Sequence, residues 1–393
     1  MQTLSQDPTA AEFTQDPYPF YERARETGAM FHWQEYGLPC AVSYASVNAI
    51  LRDRRFGREI PEEQATEKPA HQAGFWAIEN HSMLELEPPR HTRLRGLVLR
   101  AFTSRRIKEL APEIASLSHD LIDKIPRERF DFIESFAQPL PVIIIARLLG
   151  IPEENAPELL RWSNAIVGMY KAGRTYDDEV AASDAGKEFA DFLRDYVAYR
   201  RDKPQDDLIT HLIAAEEDGE KLSTDELIAT CVLLLNAGHE ATVHTLGNGL
   251  KAFLENGCAP DLLGPDAIEG TAEEMLRYDP PLHMFTRYAY EDIEVGRNSF
   301  KRGDQVACLL AAANRDPGRW EDPDRFLPER PKQVNASFGA GTHFCIGAPL
   351  ARLEIQTALP ILFERMPKLA IVEEPEYAPI YHFRGLKSLH LSA

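Results

Sequence analysis

The sequence predicts a mainly α-helical fold with small β-sheets. Three observations carry this. Long stretches between proline clusters repeat apolar residues at helical spacing, strand signals are few and short, and no regular β-α-β alternation runs through the chain. Proline is frequent, 28 in all, and clusters near residues 8–19, at Pro88-Pro89, around Pro280-Pro281 and from Pro317 to Pro331. Between them, residues 105–125, 136–150, 155–171, 179–201 and 206–217 read as amphipathic helices. The strand signals are Met284–Tyr290, Glu291–Val295 and Gln305–Leu310.

One helix is much longer than the others. Ser223-Thr224-Asp225-Glu226 offers a capping box, and no proline follows until Pro260. A helix over 224–256 would be about 50 Å long, at 1.5 Å per residue. Its middle, Cys231-Val-Leu-Leu-Leu-Asn-Ala-Gly238, is apolar around most of its circumference and must be buried. Gly238-His239-Glu240-Ala241-Thr242 then places polar groups deep inside, which costs stability unless they shape a site. A last helix opens at Ala348-Pro349, and Pro360 is expected to end or kink it.

Composition narrows the function classes. A hydrophobic content of 44% over 393 residues excludes wholesale disorder, and the length accommodates one large domain, 1–393. A formal net charge of −19 argues against a general nucleic-acid binder. Five cysteines without a C-x-x-C pair argue against a disulfide framework or structural zinc. The N-terminus lacks the basic start and apolar core of a signal peptide. The longest apolar run, Val142–Ile151, contains Arg147 and is too short to span a bilayer. A cytoplasmic, monomeric protein is expected, with no membrane or nucleic-acid partner.

The chemistry-bearing segment is Phe338-Gly339-Ala340-Gly341-Thr342-His343-Phe344-Cys345-Ile346-Gly347. Its glycines let the backbone turn tightly and approach a flat ligand. Its cysteine precedes a helix N-terminus, which lowers a thiol pKa and holds a thiolate. This string resembles the cysteine-ligand loop of the cytochrome P450 superfamily, the haem-thiolate monooxygenases. Every fixed position of Phe-Gly-x-Gly-x-His-x-Cys-x-Gly is filled. The resemblance implies the P450 fold, with the long helix crossing a haem b (iron protoporphyrin IX). It implies Cys345 as axial thiolate, the ligand type that favours O–O cleavage, with Phe338, Gly339 and Gly347 shaping its loop.

Other segments extend the resemblance along nearly the whole chain, from Asp16-Pro-Tyr-Pro-Phe20 to the short sheet near Phe383–Leu389. Glu274-Met-Leu-Arg277 matches the family's Glu-x-x-Arg pair, with Arg330 in Phe326-Leu-Pro-Glu-Arg330 as its third member. Asn314-Arg-Asp-Pro317 looks like the stretch leading there. His91 and Arg95 in Pro88-Pro-Arg-His-Thr-Arg-Leu-Arg95, together with Arg287 and His343, match the haem-propionate contacts. Gly238, Glu240, Ala241 and Thr242 fall on the oxygen-activation segment, but the usual alcohol position holds alanine. Thr242 is one residue late, about 100° around the helix. It either relays protons or bonds back to a helix carbonyl.

By the same analogy the substrate pocket draws on 61–83, 165–176, the middle of the long helix, 282–285 and 380–383. These offer Phe75, Trp76, Ile78, Met83, Ile166, Met169, Leu234, His283, Met284, Phe285 and Tyr381, suited to a small apolar or aromatic substrate. Hydroxylation or O-dealkylation is the expected outcome. Arg90, Arg93, Arg95, Arg100, Arg105, Arg106 and Lys108 precede any acid until Glu109. In the family this face receives an acidic ferredoxin, so Arg93 and Arg100 become docking candidates. Electrons would come from NAD(P)H through ferredoxin reductase and ferredoxin. Two other readings are a haem-thiolate protein that binds ligand without turnover, and a peroxide-driven oxygenase or isomerase.

Overall fold

The structure, a computed structural model, describes every residue except Ala172 and Asp218. Its helices, in chain order, are α1 (Ala11–Gln15), α2 (Tyr18–Glu26), α3 (Tyr44–Arg52), α4 (Ala73–Glu79), α5 (Arg90–Ala101), α6 (Ser104–Glu109), α7 (Ala111–Lys124), α8 (Pro139–Leu149), α9 (Ala156–Val167), α10 (Tyr176–Asp202), α11 (Leu208–Ala214), α12 (Thr224–Glu255), α13 (Ile268–Tyr278), α14 (Leu310–Asn314) and α15 (Ala348–Arg365). The strands are short: β1 (Thr3–Leu4), β2 (Met30–Trp33), β3 (Leu38–Ala41), β4 (Phe56–Gly57), β5 (Phe130–Asp131), β6 (Glu216–Glu217), β7 (Glu220–Lys221), β8 (Met284–Ala289), β9 (Ile293–Val295), β10 (Asn298–Phe300), β11 (Gln305–Leu309), β12 (Ala370–Ile371) and β13 (His390–Ser392). The largest sheet runs β1-β2-β3-β11-β8-β4, and its β11 is parallel to β3 but antiparallel to β8.

The helix α12 has the length its sequence predicts. The Ser223 side chain accepts from the Glu226 amide, and Glu226 accepts from the Ser223 amide at 2.8 Å, closing the capping box. The helix packs against α4, α8, α9, α10 and α13, so its apolar circumference is met on nearly every side.

Four helix boundaries differ from expectation. The stretch 105–125 divides between α6 and α7, because Pro112 has no amide to offer the Lys108 carbonyl. Residues 136–150 open as a π-turn over Ile133–Ala137, closed by Gln138 N to Ile133 O at 2.9 Å, before Pro139 starts α8. The stretch 206–217 shortens to α11, with β6 following. Pro360 does not end α15, which continues to Arg365. Leu359, Leu362 and Phe363 around it are buried and α15 lies along α7, so packing offsets a local cost of about 3 kcal/mol.

Two buried polar clusters tie the helices to the loops. Arg277 meets Glu274 at 2.7 and 2.8 Å and donates to the carbonyls of Asn314, Pro323 and Arg325. Arg330 approaches Glu274 at 3.4 Å, so the anticipated trio is assembled. Asp279 accepts from Tyr18, Tyr377 and Arg384 at 2.7, 2.6 and 2.9 Å. Burial alone would raise its pKa, but Arg384 overcomes this and holds the carboxyl well below the ordinary range.

Candidate functional site

The cysteine loop is held from behind by α13 and α14. Asn314 accepts from the Ala336 amide at 2.6 Å and donates to the Ser337 hydroxyl at 2.8 Å, which donates onward to the Leu276 carbonyl at 2.6 Å. Gly339 and Gly341 then take φ of +68° and +71°. A Cβ at Gly341 would meet the Leu51 carbonyl at 2.2 Å, and one at Gly339 would meet the Phe285 ring at 3.2 Å. Only glycine fits either place. The turn delivers Cys345, whose amide donates to the Phe338 carbonyl at 3.0 Å. Cys345 is half-buried, and its sulfur receives the backbone amides of Gly347 and Ala348, at the start of α15. Burial pushes the thiol pKa up, while those amides, Arg95 and Arg352 favour the thiolate.

The four predicted anion contacts converge beside this loop. The His91 and His343 rings lie 4.4 Å apart, and His343 Nε2 is 2.8 Å from Glu87 Oε1. Arg95 donates to the Phe344 carbonyl at 2.8 Å. Arg287 is 3% exposed, donates to the Thr286 carbonyl at 2.7 Å and stacks 5.8 Å from the Phe285 ring. Burial pushes Arg287 down to about 10 and His91 down to about 4. The His91 Nδ1 is buried without a hydrogen-bond partner. Arg58, which no motif announces, joins them 5.7 Å from Phe285. Buried donors of this kind want an anion. Their chemistry, beside a sulfur held by amides, fits a haem with its propionates.

On the α12 side, Glu240 sits between two imidazoles: His244 Nε2 at 3.2 Å and His239 Nε2 at 3.4 Å. Ser163 Oγ is 3.3 Å from His239 Nδ1. Burial acts to raise the Glu240 pKa, and His244 with His239 overcomes it. The Thr242 hydroxyl donates to the Gly238 carbonyl at 2.9 Å, so it bonds back along its helix. Sequence reasoning missed Glu354, which faces Thr242 from α15. Both its oxygens are buried without a well-formed partner, and burial raises it to about 8. A glutamate nine residues past the cysteine reads as an ordinary helix residue, so only the packing reveals it.

His244 occupies the space that Gly385 leaves, since a Cβ there would meet His244 Nδ1 at 1.8 Å. Gly385→Ala is expected to cost about 1–3 kcal/mol of stability through overpacking. Thermal denaturation checks this, and an unchanged Tm contradicts the packing.

The expected pocket residues divide into two groups. Phe75 lies 5.1 Å from Trp76 and 6.2 Å from Tyr170, the residue after Met169. Phe75, Met83, Ile166, Met169 and Leu234 all belong to the apolar cluster around α12. Met284 and Tyr381 do not join them. Strand alternation turns Phe285 toward the cysteine loop and Met284 into the opposite cluster, with Phe13, Trp33 and Tyr381. There the Tyr21 hydroxyl links His283 Nδ1 at 2.8 Å and the Tyr381 hydroxyl at 2.9 Å. Arg93 is also committed, to the Glu226 carboxylate and to the Lys221 carbonyl at 3.4 Å. Arg100 is exposed near the end of α5.

A sequence model described as Cytochrome P450 matches residues 14–257 and 268–370. The Cytochrome P450 monooxygenase PikC of Streptomyces venezuelae is 37% identical over 396 residues, covering 96% of this chain and 91% of its own. The Vitamin D(3) 25-hydroxylase of Pseudonocardia autotrophica is 35% identical, covering 98% and 96%. The crystal structure of P450BioI, in complex with an acyl carrier protein ligated to hexadec-9Z-enoic acid, superposes with a TM-score of 0.91 at 33% identity, covering 97% of this chain and 99% of that one.

Proposed function

The chain belongs to the cytochrome P450 family, and on that premise we propose that it is a haem-thiolate monooxygenase acting on a small, largely apolar organic substrate. The single observation that carries the reading is the Cys345 sulfur, met by two backbone amides and set beside the buried, unpartnered Nδ1 of His91. Cys345 would supply the axial thiolate. His91, Arg95, Arg287 and His343 would hold the propionates of haem b. When bound, the haem-thiolate group supplies the redox chemistry that splits O2, one atom entering the substrate and the other leaving as water. Each turnover takes up two electrons and two protons. The names of two relatives, a monooxygenase and a hydroxylase, agree with hydroxylation as the outcome.

The protein's own task at this site is to hold protons and exclude bulk water. Glu240 is kept ionised by His239 and His244, so it accepts hydrogen bonds from the imidazoles and can order water beside it. The methyl of Ala241 can neither donate nor accept a hydrogen bond. The proton must pass by another route, and the pair Thr242–Glu354 stands one residue further around the helix. A protonated Glu354 would donate to Thr242 Oγ1, whose own hydrogen is already given to the Gly238 carbonyl.

Reduction fits an external donor, as P450 relatives in bacteria use. We place an acidic ferredoxin, itself reduced by a ferredoxin reductase, on the face of α5 and the cysteine loop, with Arg100 as a contact. Arg93, the other candidate, pairs with Glu226 at the start of α12. Arg100→Glu is expected to slow ferredoxin-driven turnover several-fold at low salt and to flatten its salt dependence, with ligand binding unchanged. Steady-state rates against ionic strength check it, and an unaffected rate at low salt moves the docking face elsewhere. Among the described residues, no helix is long and apolar enough to cross a membrane.

The test of the reaction is NADH consumption with ferredoxin, its reductase and a candidate substrate under isotopically labelled O2. Labelled product supports monooxygenation. Ligand-induced Soret shifts without NADH consumption assign a binding protein instead, and product formed with hydrogen peroxide alone assigns a peroxide-driven enzyme.

A further inference from the structure

The α4 helix ends in a carboxylate that its surroundings leave without a counter-ion. Glu79 is 8% exposed, and its Oε2 is buried with no hydrogen-bond partner. The Tyr170 hydroxyl bonds to its carboxyl. Arg58, the cation nearby, is already taken by Glu85 at 2.6 Å. Glu79 and Glu85 therefore compete for the Arg58 guanidinium, while Arg287 is within electrostatic reach of Glu85. Burial, and then Glu85, push Glu79 up to about 7, with Tyr170 and Arg58 opposing. Its place is also locally unfavourable, because an acid at the end of a helix faces that helix's free carbonyls. Such a local conflict is expected at functional or strained sites.

The position of Glu79 says what that ligand is. The α4 helix packs against α10 and α12. The Tyr170 ring lies 6.2 Å from Phe75 and 6.5 Å from Phe383, and Phe383 pairs with Leu282. Through Tyr170, four of the five segments that would line a substrate pocket are thus linked to this carboxyl.

We propose that Glu79, positioned by Tyr170, is a recognition site for a cationic group on an otherwise apolar substrate, a tertiary or quaternary amine. The proposal deepens the monooxygenase reading and rests on it. A cation entering here pairs Glu79 and removes the cost of a lone buried carboxylate. An anion at the same place meets both Glu79 and Glu85. A hydroxyl satisfies the orphan oxygen but leaves the charge uncompensated.

The test uses three probes of equal chain length on the haem-loaded protein: decyltrimethylammonium, decanol and decanoate. The quaternary nitrogen has no lone pair, so it cannot report iron coordination in place of pocket binding. Isothermal titration calorimetry should show the cation binding about tenfold or more tighter than decanol, and decanoate weakest. Glu79→Gln keeps the size and the bond to Tyr170, and should bring the cation and the alcohol to equal affinity while decanol binding stays unchanged. A wild-type protein without cation preference overturns the proposal with no variant needed. So does a preference that survives in Glu79→Gln. Tightest binding of decanoate overturns it in favour of Arg58 as the anchor. Turnover without cation preference removes this inference alone, and cation preference without turnover removes the monooxygenase reading alone.

Discussion

Cys345→Ala is expected to abolish the red-shifted Soret band of the reduced carbon monoxide complex. The effect is all-or-none, because that band needs a thiolate on the iron and no other cysteine is placed to supply one. Cys40, Cys231 and Cys308 are buried, and burial pushes each thiol pKa up to about 12 or beyond. Cys258 lies beyond the end of α12, far along the chain from the glycine loop. At Cys345 the same burial operates, but the amides of Gly347 and Ala348 and the guanidinium groups of Arg95 and Arg352 oppose it. Alanine leaves the loop backbone intact, since its φ values are set by Gly339 and Gly341. The variant should therefore fold and still offer the propionate contacts of His91, Arg95, Arg287 and His343. A variant that keeps the band would remove Cys345 as the ligand.

The contrast between Cys345 and Tyr381 shows what a sequence can carry. The cysteine loop is legible because its function is local: two glycines, a cysteine and a helix start lie within ten residues. The capping box that opens α12 is legible for the same reason. Analogy of region assigns Tyr381 to the pocket, but its neighbours in the structure, Phe13, Tyr21 and Trp33, are separated from it by most of the chain. Nothing near residue 381 announces them. Pro360 shows the opposite: the local rule is sound, but contacts with α7 carry the helix past it, so it does not end there. Arg58, Glu79 and Glu354 escape motif reading because each is an ordinary charged residue in sequence. Only burial without a partner marks Glu79 and Glu354, and burial is a property of the packed chain.

The second large effect concerns Glu354 and Thr242. Thr242→Val and Glu354→Gln should each raise peroxide release and lower product formed per NADH several-fold, and the double variant should be no worse than either single one. Non-additivity follows if both groups serve one proton path. Ala241 cannot serve, and the hydrogen of Thr242 is held by the Gly238 carbonyl, so a donor behind Thr242 is required. Glu354 answers that need, because burial raises it to about 8 and leaves it protonated at neutral pH. Its folded pKa lies above the ordinary carboxylate value of 4.5, so the native state binds the extra proton. Stability from this group is full below the unfolded pKa and falls as pH rises toward about 8. Glu354→Gln carries no such proton, and its melting temperature should fall less over that window than the wild type's. This readout is independent of turnover. Coupling of the wild type should fall above about pH 8, and that limb should vanish in Glu354→Gln. Measuring product, peroxide and NADH together decides the route. Full coupling in Thr242→Val excludes Thr242 as an obligatory relay and returns the proton to Glu240 and water. Matching melting profiles in wild type and Glu354→Gln would show that Glu354 is ionised in the folded protein and is not the donor.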